Sequence, residues 1–145
     1  RILGTNIVLS NMKIVANELC TFCQSEKESI EHVLWCCVHV TTFWKQLQNA
    51  VIDKCTHAAV LNIPMTFALF GYAEHFSSDD IFDFIVLLAK YFVYKCRCEK
   101  KIPNIDSFFN YLRIRYATEK QMAHTEMAYD VFQEKWRLYV PLIES

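Results

Sequence analysis

Glycine and proline are scarce, with two and three copies in 145 residues. Collagenous and low-complexity classes are thereby excluded, and many-turned sandwiches and barrels, which need a turn-forming residue about every ten positions, are argued against, so helix is the default. No apolar run is long enough for a membrane span of roughly 20 residues. The longest, Ile81 to Tyr94, is interrupted by Asp83 and Lys90. The opening stretch RILGTNIVLSNMKI lacks a long apolar segment followed by a small-residue cleavage site, so no secretory signal is expected. P-loop, GxSxG, HExxH and GxGxxG motifs are absent, and so are the acidic metal-binding motifs of a polymerase, which leaves nucleotide-binding and hydrolase families without support.

What is present suffices for one ordinary domain with a real core: 53% of residues are hydrophobic and 21% charged. Seven cysteines make an odd number for a disulfide framework, and a chain of this size does not need cross-links to fold. A reducing compartment is therefore expected, where clustered Cys and His residues point to metal or catalysis.

The hydrophobic pattern predicts a short helix within Ile2–Ile14 and a second element over Ile30 to about Cys37, capped by Ser29, with Ile30, Val33, Leu34 and Cys37 on its apolar stripe. A further helix with Phe43, Trp44, Leu47, Val51 and Ile52 at three- and four-residue spacings is expected to be capped by Thr41 or Thr42 and to end near Cys55. Residues 56–76, with Pro64 and Gly71, read as a connector containing a short extended stretch. Ser77, Ser78, Asp79 and Asp80 mark the start of a helix running to about Lys100, apolar nearly all round and hence central. Pro103 breaks it, Asn104 or Asp106 caps the next, and from Ile105 to about Val140 one long helix, or two joined by a bend, is predicted. The fold class expected is all-α: a single domain over 1–145, with a small CCHC zinc knuckle at about 15–45 and a helical body at about 46–145.

The net charge of −1 conceals an uneven distribution. Residues 1–89 carry 5 basic and 9 acidic side chains, residues 90–120 carry 8 and 3, and residues 121–145 carry 2 and 4. The middle block, Lys90, Lys95, Arg97, Lys100, Lys101, Arg113, Arg115 and Lys120, interleaves with Tyr91, Tyr94 and Tyr116 and is a candidate phosphate-facing patch. The alternative is an ordinary solvated helix face.

The strongest chemical signal is Cys20-x2-Cys23-x8-His32 followed by cysteine at x3 or x4. A CxxC turn lets two thiolates reach one ion, and a helical His plus Cys can complete a tetrahedron around zinc. Four protein ligands leave no place for water, so such a zinc would be structural and not hydrolytic. On an unbroken helix Cys36 shares the face of His32, whereas Cys37 lies about 100° further round. Cys37 reaches the site only if the helix ends or tightens there. Other pairings are weaker: Cys55 with His57 and Cys96 with His124 lack an oxyanion loop or third partner, and Cys96 and Cys98, two apart on a helix, point to different faces. His39 and His75 read as surface or packing residues.

At these residues the chain resembles the carboxyl-terminal cysteine-rich region of LINE-type (non-LTR) retrotransposon reverse transcriptases. That family's pattern, C-x2-C, an acidic spacer, then H-[LV]-[LF]-W-x-C with a Trp seven residues on, stands here as CTFCQSEKESIEHVLWCCVHVTTFW. Cys20, Cys23, His32 and Cys37 match the ligands, Trp35 the motif aromatic and Trp44 the downstream Trp. The segments ILGTNIVLSNMKI and LLAKYFVYKCRCEKK and the terminal EKW are also similar, so the resemblance spans most of the chain. Its x4 spacing favours Cys37 over Cys36. The resemblance implies a non-catalytic tail, carrying one structural zinc ion, of a larger polypeptide whose endonuclease and polymerase domains perform target-primed reverse transcription. The tail would bind or position template RNA or target DNA, beside other domains of the parent enzyme, in the nucleus after cytoplasmic synthesis, with neither membrane nor small-molecule substrate. Because Glu26, Glu28 and Glu31 make the knuckle acidic, nucleic-acid contact is expected from the 90–120 basic block or from Phe22 and Trp35. The competing reading is a zinc-stabilised protein-interaction domain that docks on sibling domains or host factors.

Overall fold

A computed structural model describes residues 3–55 and 80–144. Its elements are α1 (Asn6–Asn11), a π-helical turn (His32–Cys36), α2 (Val38–Lys54), α3 (Asp80–Cys98), α4 (Ile105–Thr125), α5 (Tyr129–Trp136) and α6 (Val140–Ile143). Between α1 and the π turn runs a loop pinned by one isolated antiparallel bridge, Leu19 to Lys27. The domain is thus all-α with a Cys/His cluster near its start, as the periodicity predicts. Among the described residues, no helix is long and apolar enough to cross a membrane. The expected connector at 56–76 and the Ser77–Asp79 helix start lie outside the described residues.

Glycine poverty shows at the helix ends. α1, α3 and α4 each stop on a non-glycine residue in left-handed backbone: Lys13 at φ 59, Lys100 at φ 54 and Met127 at φ 55. In each case the next N–H closes back five residues, from Ile14 to Leu9, Lys101 to Cys96 and Ala128 to Ala123. This is the wrap in which glycine is the usual left-handed residue. At Met127 it makes the bend of the two-helix alternative, dividing 105–136 into α4 and α5. At Lys13 it ends the short first helix, Asn6–Asn11, which falls within Ile2–Ile14 as expected. Asn104 caps α4 as anticipated, its Oδ1 accepting from the Ser107 N–H at 3.0 Å.

α2 begins at Val38, three residues before the expected threonine caps, with Cys37 at its cap position. Thr41 and Thr42 donate their hydroxyls back to the carbonyls of Trp35 and Val38, both at 2.8 Å, and so sit inside the helical run instead of starting it. Phe43, Leu47 and Val51 of α2 are buried against Ile85, Ala89, Phe92 and Val93 of α3 and Phe108 and Leu112 of α4. Phe43, Phe92 and Phe108 form a closed aromatic trio with centroid separations of 5.9, 5.6 and 5.5 Å. A second cluster joins Phe84 of α3 and Tyr116 of α4 to Trp136 of α5. α3 is central, but it is not enclosed on every side, because Leu87 and Tyr91 stand exposed.

Candidate metal centre

Each ligand position has a local cause. Cys20 and Cys23 bracket a tight turn closed by the Gln24 N–H on the Cys20 carbonyl at 3.0 Å, with Gln24 in left-handed backbone at φ 54. The returning strand is fastened by Cys20 N–H to the Glu26 carbonyl and Glu28 N–H to the Glu18 carbonyl, both 2.7 Å. Ser29 then starts the helical turn as predicted, its Oγ accepting the His32 N–H at 3.0 Å.

The choice between Cys36 and Cys37 is decided by the width of the helix. Cys37 N–H bonds the carbonyl of His32, five residues back, at 2.8 Å. The turn widens and then ends, as the sequence alternative required, with Cys37 at φ −58 and ψ 133 capping it, and a wider turn brings position i+5 under position i where an α-helix would bring i+4. Cys37 is consequently buried in the cluster, and Cys36 is exposed. The ligand atoms of Cys20, Cys23, His32 and Cys37 all lie within 4.8 Å of one another and can hold one metal ion. Cys20 Sγ is 3.9 Å from Cys37 Sγ, and Cys23 Sγ is 3.4 Å from His32 Nε2. The other ring nitrogen, Nδ1, faces Glu26 Oε2 at 3.4 Å.

The three sulfurs are not alike. Burial pushes the Cys20 thiol up to about 12, against N–H groups that favour its thiolate. Burial likewise raises Cys37, opposed by the backbone N–H groups of His39 and Val40 at the amino end of α2. At Cys23 burial also works against ionisation, but the N–H groups of Ser25 and Glu26 and the side chains of His32 and Cys20 outweigh it and draw the thiol down to about 6.

Sequence reasoning missed the clamp beside the cluster. Glu28 is 0% exposed, and its carboxylate accepts from the N–H of Asn6 at 2.9 Å, the N–H of Thr21 at 2.7 Å and the Arg97 guanidinium at 2.9 and 2.8 Å. Arg97 also donates to Asn6 Oδ1 at 2.9 Å, and Asn6 Nδ2 donates to the Leu19 carbonyl at 2.6 Å. One buried carboxylate thereby ties α1, the Cys turn and the carboxyl end of α3 together. Despite its burial, Glu28 is held below its ordinary 4.5 by Thr21, Arg97 and Asn6. The acidity of the knuckle sequence is therefore partly turned inward. No local signal marks this pair, because its members are 69 positions apart.

Of the eight basic residues in the 90–120 block, Arg97 is thus committed to Glu28 and does not face solvent as a free phosphate contact. Arg113 donates to the Ile143 carbonyl at 2.7 Å and to Asn110 at 2.9 Å, tying α4 to α6. Lys90 and Lys120 are half-buried, the latter 5.9 Å over the Tyr116 ring. Lys95, Lys100, Lys101 and Arg115 are exposed, with Lys95 and Lys101 sharing Glu99. Phe22 is buried and presents no open stacking face, and Trp35 is half-buried with its ring tilted against that of Trp44 at 5.7 Å. Cys96 is buried and Cys98 exposed, on different faces as expected. His124 stacks on Tyr129 at 4.1 Å. His57 and His75 lie outside the described residues.

No family model, no curated protein and no solved structure matches the chain.

Proposed function

We propose that this chain is a non-catalytic, zinc-stabilised module that binds or positions RNA or DNA, in the manner expected of the carboxyl-terminal region of a LINE-type reverse transcriptase working in the nucleus beside that enzyme's other domains. The observation that carries the reading is the converging set of three sulfurs and one imidazole at Cys20, Cys23, His32 and Cys37. Tetrahedral zinc with Zn–S of about 2.3 Å and Zn–N of about 2.0 Å sets its donors about 3.8 Å (S to S) and 3.5 Å (S to N) apart. The separations of 3.9 and 3.4 Å lie close to those values, and the remaining pairs stay within 4.8 Å. Soft thiolates with imidazole select zinc over magnesium or calcium. With every position filled from the protein, zinc supplies folding energy and no activated water.

The nucleic-acid part of the reading is supported by the family resemblance and by the exposed cations Lys95, Lys100, Lys101 and Arg115. Exposed pairs such as Lys101 with Glu99 contribute at most about 1 kcal/mol and yield readily to phosphate. Salt-titrated binding of the zinc-loaded protein to single- and double-stranded RNA and DNA is the test. Charge reversal at Lys100 and Lys101 is expected to weaken binding and flatten its salt slope. Binding that is absent, or indifferent to those charges, refutes it. In that outcome the protein-interaction reading gains, supported by the exposed Leu87 and Tyr91, which with Leu3, Leu34, Lys90 and Tyr94 line an apolar cleft of about 200 Å³.

A further inference from the structure

We propose that Glu26 is the positioning residue of the metal centre, holding His32 so that Nε2 and not Nδ1 is the ligating atom. This rests on the zinc reading above. A metal-bound imidazole almost always donates its other N–H to a carboxylate, carbonyl or water, which fixes its tautomer and ring orientation. Here the two nitrogens face opposite partners: Nε2 meets Cys23 Sγ at 3.4 Å and Nδ1 meets Glu26 Oε2 at 3.4 Å. Glu26 is also the one place in the loop that reaches three ligands. Its carbonyl accepts the Cys20 N–H at 2.7 Å, and its own N–H acts on the Cys23 sulfur. The backbone contacts fix where its side chain emerges, so the carboxylate is delivered to Nδ1 by the same turn that delivers the two thiolates. A substitution leaves those backbone bonds in place and isolates the carboxylate's share.

The carboxylate is 73% exposed, so water competes for Nδ1–H and the effect belongs at the low end of the 10- to 100-fold range typical of such partners. Zinc affinity by chelator competition is expected to fall roughly tenfold in Glu26→Ala and only slightly in Glu26→Gln, whose amide oxygen offers Nδ1–H an acceptor in the same place. The exposed Glu31→Ala is the control for loss of one nearby negative charge. Nitrogen-15 spectra of zinc-loaded protein should show His32 bound through Nε2, with an Nδ1 proton that exchanges faster in Glu26→Ala than in the parent. Equal affinities for Glu26→Ala and Glu31→Ala, or ligation through Nδ1, overturn the assignment while leaving the metal centre intact. Failure of the unmodified protein to take up zinc overturns the metal centre itself and the assignment with it.

Discussion

Removing the carboxylate of Glu28 is predicted to be the most damaging single-atom change in the loop. Glu28→Gln replaces an oxygen that accepts buried N–H groups with an amide that donates, and it strands the Arg97 guanidinium, whose side chain is 11% exposed, without its anion. Breaking a buried, hydrogen-bonded ion pair from one side costs about 3–5 kcal/mol. A domain of this kind has about 5–15 kcal/mol in total, so the variant should be marginally folded. For a chain of this size the loss is about 6–20 °C in Tm, at 2–4 °C per kcal/mol. Urea unfolding of the zinc-loaded protein, followed by far-UV circular dichroism, measures it. Arg97→Met should be comparably harmful, yet the double variant should cost well under the sum of the two, with a coupling of about 1–3 kcal/mol. Because the native pKa of Glu28 is depressed, the stability it contributes is complete above its ordinary 4.5 and disappears as pH falls through the lowered native value. The gap between parent and Glu28→Gln should therefore close on the acid side of 4.5, metal loss acting on both proteins alike. Additive single effects would refute the clamp and return Arg97 to the solvent-facing cations.

Zinc uptake at pH 7 should release about two protons from the sulfurs, since Cys20 and Cys37 are thiols there and Cys23 is largely thiolate; calorimetry in buffers of differing ionisation enthalpy counts them, and a value near zero contradicts the assignment. Cys37→Ser should abolish stoichiometric cobalt binding by absorption spectroscopy, whereas Cys36→Ser, altering an exposed side chain, should leave the spectrum unchanged. Met127→Gly should raise stability by about 1 kcal/mol in urea unfolding, because the left-handed conformation costs a side chain roughly 1–2 kcal/mol. Met127 is 96% exposed, so little packing is lost, and a destabilised variant would show that something other than backbone conformation governs this turn.

The parts legible in the sequence are those set by neighbours along the chain. Ser29 and Asn104 announce their caps because a short polar side chain can reach the N–H three residues ahead. The ligand set was legible through spacing, with the family pattern needed to prefer Cys37. Helical geometry alone pointed to Cys36, because face-counting assumes an unbroken 3.6-residue period and nothing in HVLWCC announces the extra residue in the turn. The early start of α2 escaped for the same reason: Cys37 occupies a cap position usually given to oxygen-bearing side chains. The Glu28–Arg97 pair escaped because a basic residue near a helix end reads locally as solvated, and its burial is settled only when distant segments meet.

Cys37 belongs to two elements at once. Its N–H closes the π turn on His32, and its carbonyl accepts the Thr41 N–H at 2.8 Å as α2 sets off from it. The sulfur aimed at the ion therefore hangs from the very joint at which the second helix begins, and that helix carries Phe43, Leu47 and Val51 into the core. Metal held at Cys37 thus anchors the root of the helix around which the aromatic interior is built.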